Sequence, residues 1–320
     1  MAELQHKFAA TNGIKMHYVE QGAGPLVVLC HGWPESWYSW RHQIPALASA
    51  GFRVVAPDQR GYGRTDRPEA IEAYNIFSLA GDIVGLVRAL GESQAIIVGH
   101  DWGAPVAWHC ALLRPDIFRA VGLLSVPFLP RGPIRPSDGM KALEGKNNWF
   151  YQNYFQEPGR VEKELDEDPR RSMLMMMYSA SGDAPPTERW NFLFPRSQSF
   201  LESGTVPGRL PGWLSEEDLD FFSAEFTNSG FRGGINWYRN IDRNWELTGF
   251  LDGLKLTQPS VFAAGEHDVV LAMYPDAAKV VDFSMPNCRK KMIIPGAGHW
   301  LQQERPAEIN DLLVEFAKSL

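Results

Sequence analysis

The 320-residue chain has little of what marks several large protein classes. Its three cysteines, Cys30, Cys110 and Cys288, are widely spaced and follow no metal-binding or redox pattern, which excludes a disulfide scaffold and a thiolate metal site. Such an unpaired set suits a reducing cytosol, where thiols behave as small hydrophobic groups. Basic charge is not in surplus: 31 Lys and Arg against 38 Asp and Glu leave a net charge of −7, and no basic surface points to nucleic acid or an anionic membrane. No stretch approaches the roughly 20 apolar residues of a membrane span, and the start, Met1-Ala2-Glu3-Leu4-Gln5-His6-Lys7, lacks the apolar run of a secretion signal. The terminal Lys318-Ser319-Leu320 only scrambles the peroxisomal tripeptide. Internal repeats and low-complexity tracts are missing. Gly61-Tyr62-Gly63 has neither the third glycine nor the following helix of a nucleotide loop. The expectation is a soluble cytoplasmic protein, monomer or homodimer, with no nucleic-acid partner, membrane span, metal or cofactor.

What is present is a long α/β pattern. Leu26-Val27-Val28-Leu29-Cys30 and Phe52-Arg53-Val54-Val55-Ala56 are short apolar runs typical of buried strands. A helix is expected from about Phe77 to Leu90, stopped by Gly91, and further strands at Ala95 to Val98 and Val121 to Leu124. Near residue 129 the composition shifts: Pro127, Pro130, Pro133 and Pro136 break regular structure, and a stretch rich in Trp, Tyr, Phe, Met and charge follows. Short strands resume at Ser260 to Gly265 and Lys291 to Pro295, and an amphipathic helix from about Pro306 to Lys318 closes the chain. The alternation predicts a mostly parallel sheet with helices on both faces. Residues 1–128 and 246–320 are expected to form this core, with 129–245 inserted as a cap.

The motif that carries chemistry is Gly99-His100-Asp101-Trp102-Gly103. An apolar strand leads into it and a helix-like stretch from Ala104 to Trp108 leads out, the context of a nucleophile elbow. The elbow normally presents Ser; here it presents Asp. A carboxylate attacks an alkyl carbon readily but is a poor nucleophile for esters and amides, since it would make a mixed anhydride. The residue therefore points to hydrolysis through an alkyl-enzyme ester, and by itself leaves epoxide and haloalkane substrates open. Other candidates also follow strand ends, where parallel sheets bind ligands: His31-Gly32-Trp33-Pro34 after Cys30, Asp268 after Gly265 and His299 after Ile294. Nucleophile, acid and histidine fall in the chain order this elbow architecture uses.

Taken with Asp58-Gln59-Arg60-Gly61-Tyr62-Gly63, Tyr151-Gln152-Asn153-Tyr154-Phe155-Gln156-Glu157-Pro158-Gly159, Phe231-Arg232-Gly233-Gly234-Ile235-Asn236-Trp237-Tyr238-Arg239-Asn240 and Gly298-His299-Trp300, the chain resembles an α/β-hydrolase-fold epoxide hydrolase of the soluble plant and mammalian type. The resemblance spans nearly the whole chain. It implies a mostly parallel eight-stranded sheet with helices on both faces, and a mainly helical cap. It implies an epoxide as the small-molecule substrate and a vicinal diol as product, with Asp101 as nucleophile and His299, oriented by Asp268, as the base that activates water. Tyr151 and Tyr238 match the family's two cap tyrosines, proton donors to the epoxide oxygen. The backbone N–H groups of Trp33 and Trp102 would form the oxyanion hole, and Glu35 and His31 would help place the hydrolytic water. Pro34 is expected to hold Trp33 extended with its N–H inward. His100 and the run Met173-Leu174-Met175-Met176-Met177 have blander readings, as a structural residue and as cap core. A haloalkane dehalogenase would share Asp101, Asp268, His299 and a tryptophan at 102. It would not need two tyrosines, because halide leaves without a proton. An esterase is disfavoured by Asp101, and a non-catalytic receptor by the complete set of reactive residues.

Overall fold

The computed structural model describes residues 3–320. Eight strands form one sheet in the order β1-β2-β4-β3-β5-β6-β9-β10. They are β1 (Gln5–Thr11), β2 (Ile14–Gln21), β3 (Leu26–Cys30), β4 (Arg53–Pro57), β5 (Ala95–His100), β6 (Phe118–Leu124), β9 (Ser260–Gly265) and β10 (Cys288–Ile294). From β4 to β10 every neighbouring pair is parallel; β2 alone is reversed, pairing antiparallel with both β1 and β4. This is the mostly parallel sheet expected from the alternation, with the eight strands that the family resemblance implies.

Both faces of the sheet are buried, which is why its strands read as continuous apolar runs. Successive residues of β3 fall alternately into two cores: Leu26, Val28 and Cys30 pack on one face, Val27 and Leu29 on the other. The first face is covered by helices Ile76–Ala89 and Gly103–Leu113, the second by Gln43–Ser49 and Pro306–Lys318. The helix expected at 77–90 begins where the Asn75 side chain accepts the N–H groups of Phe77 and Ser78, a cap that supplies two of the otherwise unpaired donors of its first turn.

Two differences from the expected elements have clear causes. The hairpin β1–β2 lies before the first strand read from the sequence. Its turn is Asn12-Gly13, both at positive φ (45° and 79°), the favoured dipeptide for a tight hairpin. And β5 runs two residues past Val98, because Gly99 and His100 still pair with Leu123 and Leu124 of β6. Asp101 therefore follows the strand directly.

Between β6 and β9 the chain leaves the sheet. It forms helices that include Pro136–Glu144, Pro169–Ser179, Glu216–Ser229 and Arg232–Arg239, with a small hairpin of β7 (Asn148–Phe150) and β8 (Leu193–Pro195). This roof is tied to the loop after β10. His299 N–H donates to Ala180 O (2.8 Å), the Trp300 indole to Met177 O (2.9 Å), and Glu304 accepts the N–H groups of both Gly182 and Gly298 (2.9 Å each). No helix among the described residues is long and apolar enough to cross a membrane.

Candidate active site

The parallel register brings the C-terminal ends of β3, β5, β6, β9 and β10 side by side. Trp33, Asp101, Ser125, Asp268 and His299 thus meet from widely separated parts of the chain. The elbow holds Asp101 at φ 49°, a left-handed conformation that few side chains adopt without strain. Its tightness dictates the flanking glycines: a Cβ at Gly99 would lie 2.0 Å from Gly103 O, and one at Gly103 2.0 Å from Cys30 O. The result is a carboxylate standing clear of the sheet at the head of helix Gly103–Leu113.

One Asp101 oxygen, Oδ1, accepts the Trp33 N–H at 2.7 Å, and the Trp102 N–H also bonds the carboxylate. The other, Oδ2, lies 3.6 Å from His299 Nε2. His299 Nδ1 lies 3.0 Å from Asp268 Oδ1, and Asp268 in turn accepts the Val270 N–H at 2.9 Å, capping the next helix. Burial raises the Asp101 carboxyl; the His299 charge and the two N–H groups pull it back. Burial would lower the His299 imidazole, but Asp268 and Asp101 outweigh it and bring it up to about 9. Asp268, deeply buried, is nonetheless held below the usual carboxylate range by His299 and by hydrogen bonds from Ser125 and Val270.

The roof supplies the phenols. Tyr151 begins a short helix after β7, and Tyr238 lies on the helix Arg232–Arg239. Their ring centroids are 5.8 Å apart. Tyr238 sits edge-on against Trp102 (5.2 Å) and Trp33 (5.6 Å), and Tyr151 against Trp190 (4.9 Å). The Tyr151 oxygen accepts from Gln152 Nε2 at 2.7 Å. Burial, and behind it the Asp101 charge, hold both phenols well above their ordinary value, so both keep their protons at any ordinary pH.

Two cavities meet between floor and roof, each bordered by Asp101, Tyr151, Tyr238 and Val270. The enclosed one, about 50 Å³, is lined also by Trp33, Met175, Met176, Trp190, Phe200 and His299. The larger, about 290 Å³, opens outward past Trp102, Trp108, His109, Met140, Asn244 and Met273. A substrate held at Asp101 thus has space on both sides of the reacting carbon.

The other sequence-predicted residues lie elsewhere. Glu35 and His31, expected near the hydrolytic water, are fully buried and border neither cavity. Glu35 accepts from Gly32 N–H (2.7 Å) and Gln302 Nε2 (2.9 Å) and faces His100 Nδ1 (2.8 Å). Despite burial, His100, His31 and these donors hold its carboxyl at about 2. His100 Nε2 bonds the backbone oxygen of His299 (2.7 Å), so hydrogen bonds link Glu35 to His299 through His100, and the Glu35 charge also helps to raise that imidazole. His31 is spent on backbone: Nδ1 bonds Gly32 O (2.9 Å), and Nε2 accepts the Gln59 N–H (3.1 Å). The peptide bond between Trp33 and Pro34 is cis. Tyr154 donates to Glu164, away from Asp101. The methionine run divides: Met173 and Met177 are core, whereas Met175 and Met176 line the enclosed chamber.

Sequence reasoning passed over Ser125 and Gln152. Ser125 follows β6 at φ 69°, with its hydroxyl 3.2 Å from His299 Nδ1. A polar residue directly after a central parallel strand was the available signal. Gln152 had none beyond its place beside Tyr151.

The sheet order, the elbow and the acid–histidine pair define an α/β hydrolase. The α/β hydrolase fold family matches residues 25–306, and the chain belongs to it. Within that family its relatives are epoxide hydrolases. It is 47% identical to epoxide hydrolase A of Mycobacterium tuberculosis, over all of this chain and 99% of the relative. It is 40% identical to epoxide hydrolase 2 of Siraitia grosvenorii, over 99% of each. Among solved structures, an epoxide hydrolase from an endophytic Streptomyces superposes with a TM-score of 0.95 at 46% identity, covering 98% of this chain and 95% of that one. Epoxide hydrolase A from Mycobacterium thermoresistibile gives 0.92 at 48% identity, covering 99% and 98%.

Proposed function

We propose that the protein converts epoxides and water to vicinal diols through a covalent ester on Asp101. The observation that carries this reading is that a nucleophilic carboxylate and two protonated phenols border the same cavities. A carboxylate oxygen of Asp101 attacks a ring carbon; the new C–O bond forms as the ring C–O bond breaks, and the electron pair goes to the ring oxygen. That alkoxide takes a proton from the Tyr151/Tyr238 pair, which solvent later restores. Their raised proton affinity suits them to hold and deliver a proton to so strong a base.

Ester formation neutralises Asp101 and so removes one of the three carboxylates, with Asp268 and Glu35, that raise His299. The imidazole then gives up its proton more easily and becomes a base. It takes a proton from water, and the hydroxide adds to the ester carbonyl of Asp101. The N–H groups of Trp33 and Trp102 hold the oxyanion, an interaction worth roughly 3–4 kcal/mol per donor. Collapse releases the diol as His299 returns its proton to the departing oxygen; the Asp101 carboxyl, now holding the oxygen of the water, then gives its remaining proton to His299 and is again a carboxylate.

Residues 129–245 are assigned as the cap and 1–128 with 246–320 as the core. The protein is taken to act in the cytoplasm as a monomer or homodimer, in keeping with its three free cysteines. Haloalkane hydrolysis is disfavoured because halide leaves without a proton, so the two phenols that border the cavities would have no part in it. The test is direct: the purified protein should convert styrene oxide to the diol and release no halide from 1-haloalkanes. Halide release without diol formation would overturn the reading.

A further inference from the structure

Two of the polar groups that border the open chamber, beside Gln152 and Tyr274, have no part in the proposed reaction. His109, on the elbow helix Gly103–Leu113, borders both this chamber and the groove beyond it. Its Nδ1 lies 2.7 Å from Pro105 O, a carbonyl that only accepts, so Nδ1 carries the hydrogen and Nε2 presents a lone pair. Among the described residues nothing hydrogen-bonds Nε2. Burial pushes this imidazole down to about 4, so it stays a neutral acceptor through the physiological range. The second group is Asn244. Its Oδ1 accepts the Ile76 N–H at 2.8 Å, which turns its amide hydrogens into donors without a protein partner.

Apart from Gln152, which bonds Tyr151, and the Tyr274 phenol, the remaining walls are largely apolar, with Trp108, Val126, Leu129 and Met140 among them, and among the described residues no lysine or arginine borders the chamber. The groove outside has Arg131, but its guanidinium stacks 4.0 Å over Trp245 and donates to Trp245 O. A carboxylate in the chamber would face a lone pair with no cation to neutralise it. A hydroxyl suits both free groups, donating to His109 and accepting from Asn244.

We propose that the open chamber selects epoxides whose longer substituent bears a hydroxyl, donated to His109 Nε2, over those ending in methyl or carboxylate. This rests on epoxide hydrolysis at Asp101. His109 lies six residues beyond Gly103, roughly 9 Å along the helix axis at 1.5 Å per residue, which sets how far along the arm the hydroxyl belongs.

The experiment uses matched trans-disubstituted epoxides that differ only in ending one arm in methyl, hydroxyl or carboxylate, over a series of arm lengths. The native protein should give its highest hydroxyl-to-methyl ratio of kcat/KM at one arm length, and its lowest kcat/KM on the carboxylates. His109→Phe should cut that peak ratio by roughly 3- to 10-fold, the worth of one neutral hydrogen bond. His109→Gln, which keeps an acceptor, should retain most of it. A ratio that is flat with arm length, or equal in the native protein and His109→Phe, would overturn the selectivity while leaving epoxide hydrolysis standing. Failure of the native protein to hydrolyse any of the set would overturn both.

Discussion

The floor and the roof of the cavity are built by different physics. On the floor, reactive groups are placed by backbone: a left-handed elbow residue, N–H groups aimed at the carboxylate, and an acid fixed as a helix cap. Their electrostatics are ionic, with Asp101 and Asp268 on either side of His299. On the roof, Tyr151 and Tyr238 are placed by aromatic edges, and the hydrogen bond to the Tyr151 oxygen is neutral. In the proposed reaction the floor determines which intermediate forms, and the roof determines which leaving group can be accommodated. A carboxylate on a rigid elbow serves any alkyl electrophile, whereas two phenols serve only one that leaves as a base.

This contrast can be broken from either side. Asp101→Ala removes the only route to the ester, and diol formation should fall by at least about 10⁵-fold, as when the nucleophile of a covalent mechanism is deleted. Retained turnover would mean that the floor does not act covalently. Behind it, Glu35→Ala strips a buried carboxylate from three partners, Gly32, Gln302 and His100. It should cost about 3–5 kcal/mol in denaturant unfolding, the scale for an interrupted buried ion pair. A loss under about 1 kcal/mol, the scale of an exposed pair, would remove Glu35 from the support of the floor.

On the roof, Tyr151→Phe and Tyr238→Phe should each lower kcat on epoxides by about 10²- to 10³-fold, within the range for a positioned general acid. The double variant should fall further. Wild-type rates in the double variant would show that the roof donates no proton. The smallest effect is a shift rather than a loss. In the free enzyme His299 is protonated up to about 9. Ester formation lowers that value, so the rate of ester hydrolysis should rise with pH through a midpoint below 9, as the imidazole loses its proton. Asp268→Asn removes the carboxylate with the largest effect on the imidazole and should move the midpoint down again, by about 1–3 units. Single-turnover rates against pH read both midpoints, and an upward shift would contradict the electrostatics.

The same division explains what could be read before the fold was known. The elbow is local, so Gly99, Asp101 and Gly103 announce themselves within five residues, and strand ends located Asp268 and His299. The tyrosines were legible through the family motifs around them, because no spacing relates Tyr151 to Tyr238. Ser125, Gln152 and His109 acquire their positions only when sheet, helix and roof are assembled. Glu35 and His31 lay beside the right motif, but their burial, and the hydrogen bonds that hold them behind the cavity walls, follow only from the assembled fold. The hairpin of β1 and β2 had its turn written in Asn12-Gly13, ahead of the apolar runs that draw the eye.

The most direct test of the account is to stop the reaction between floor and roof. His299→Gln can form the ester but cannot activate water. Mixed with an epoxide and examined by mass spectrometry, it should gain the full mass of the epoxide, oxygen included, on the peptide that contains Asp101. No adduct, or an adduct on any other residue, would contradict it.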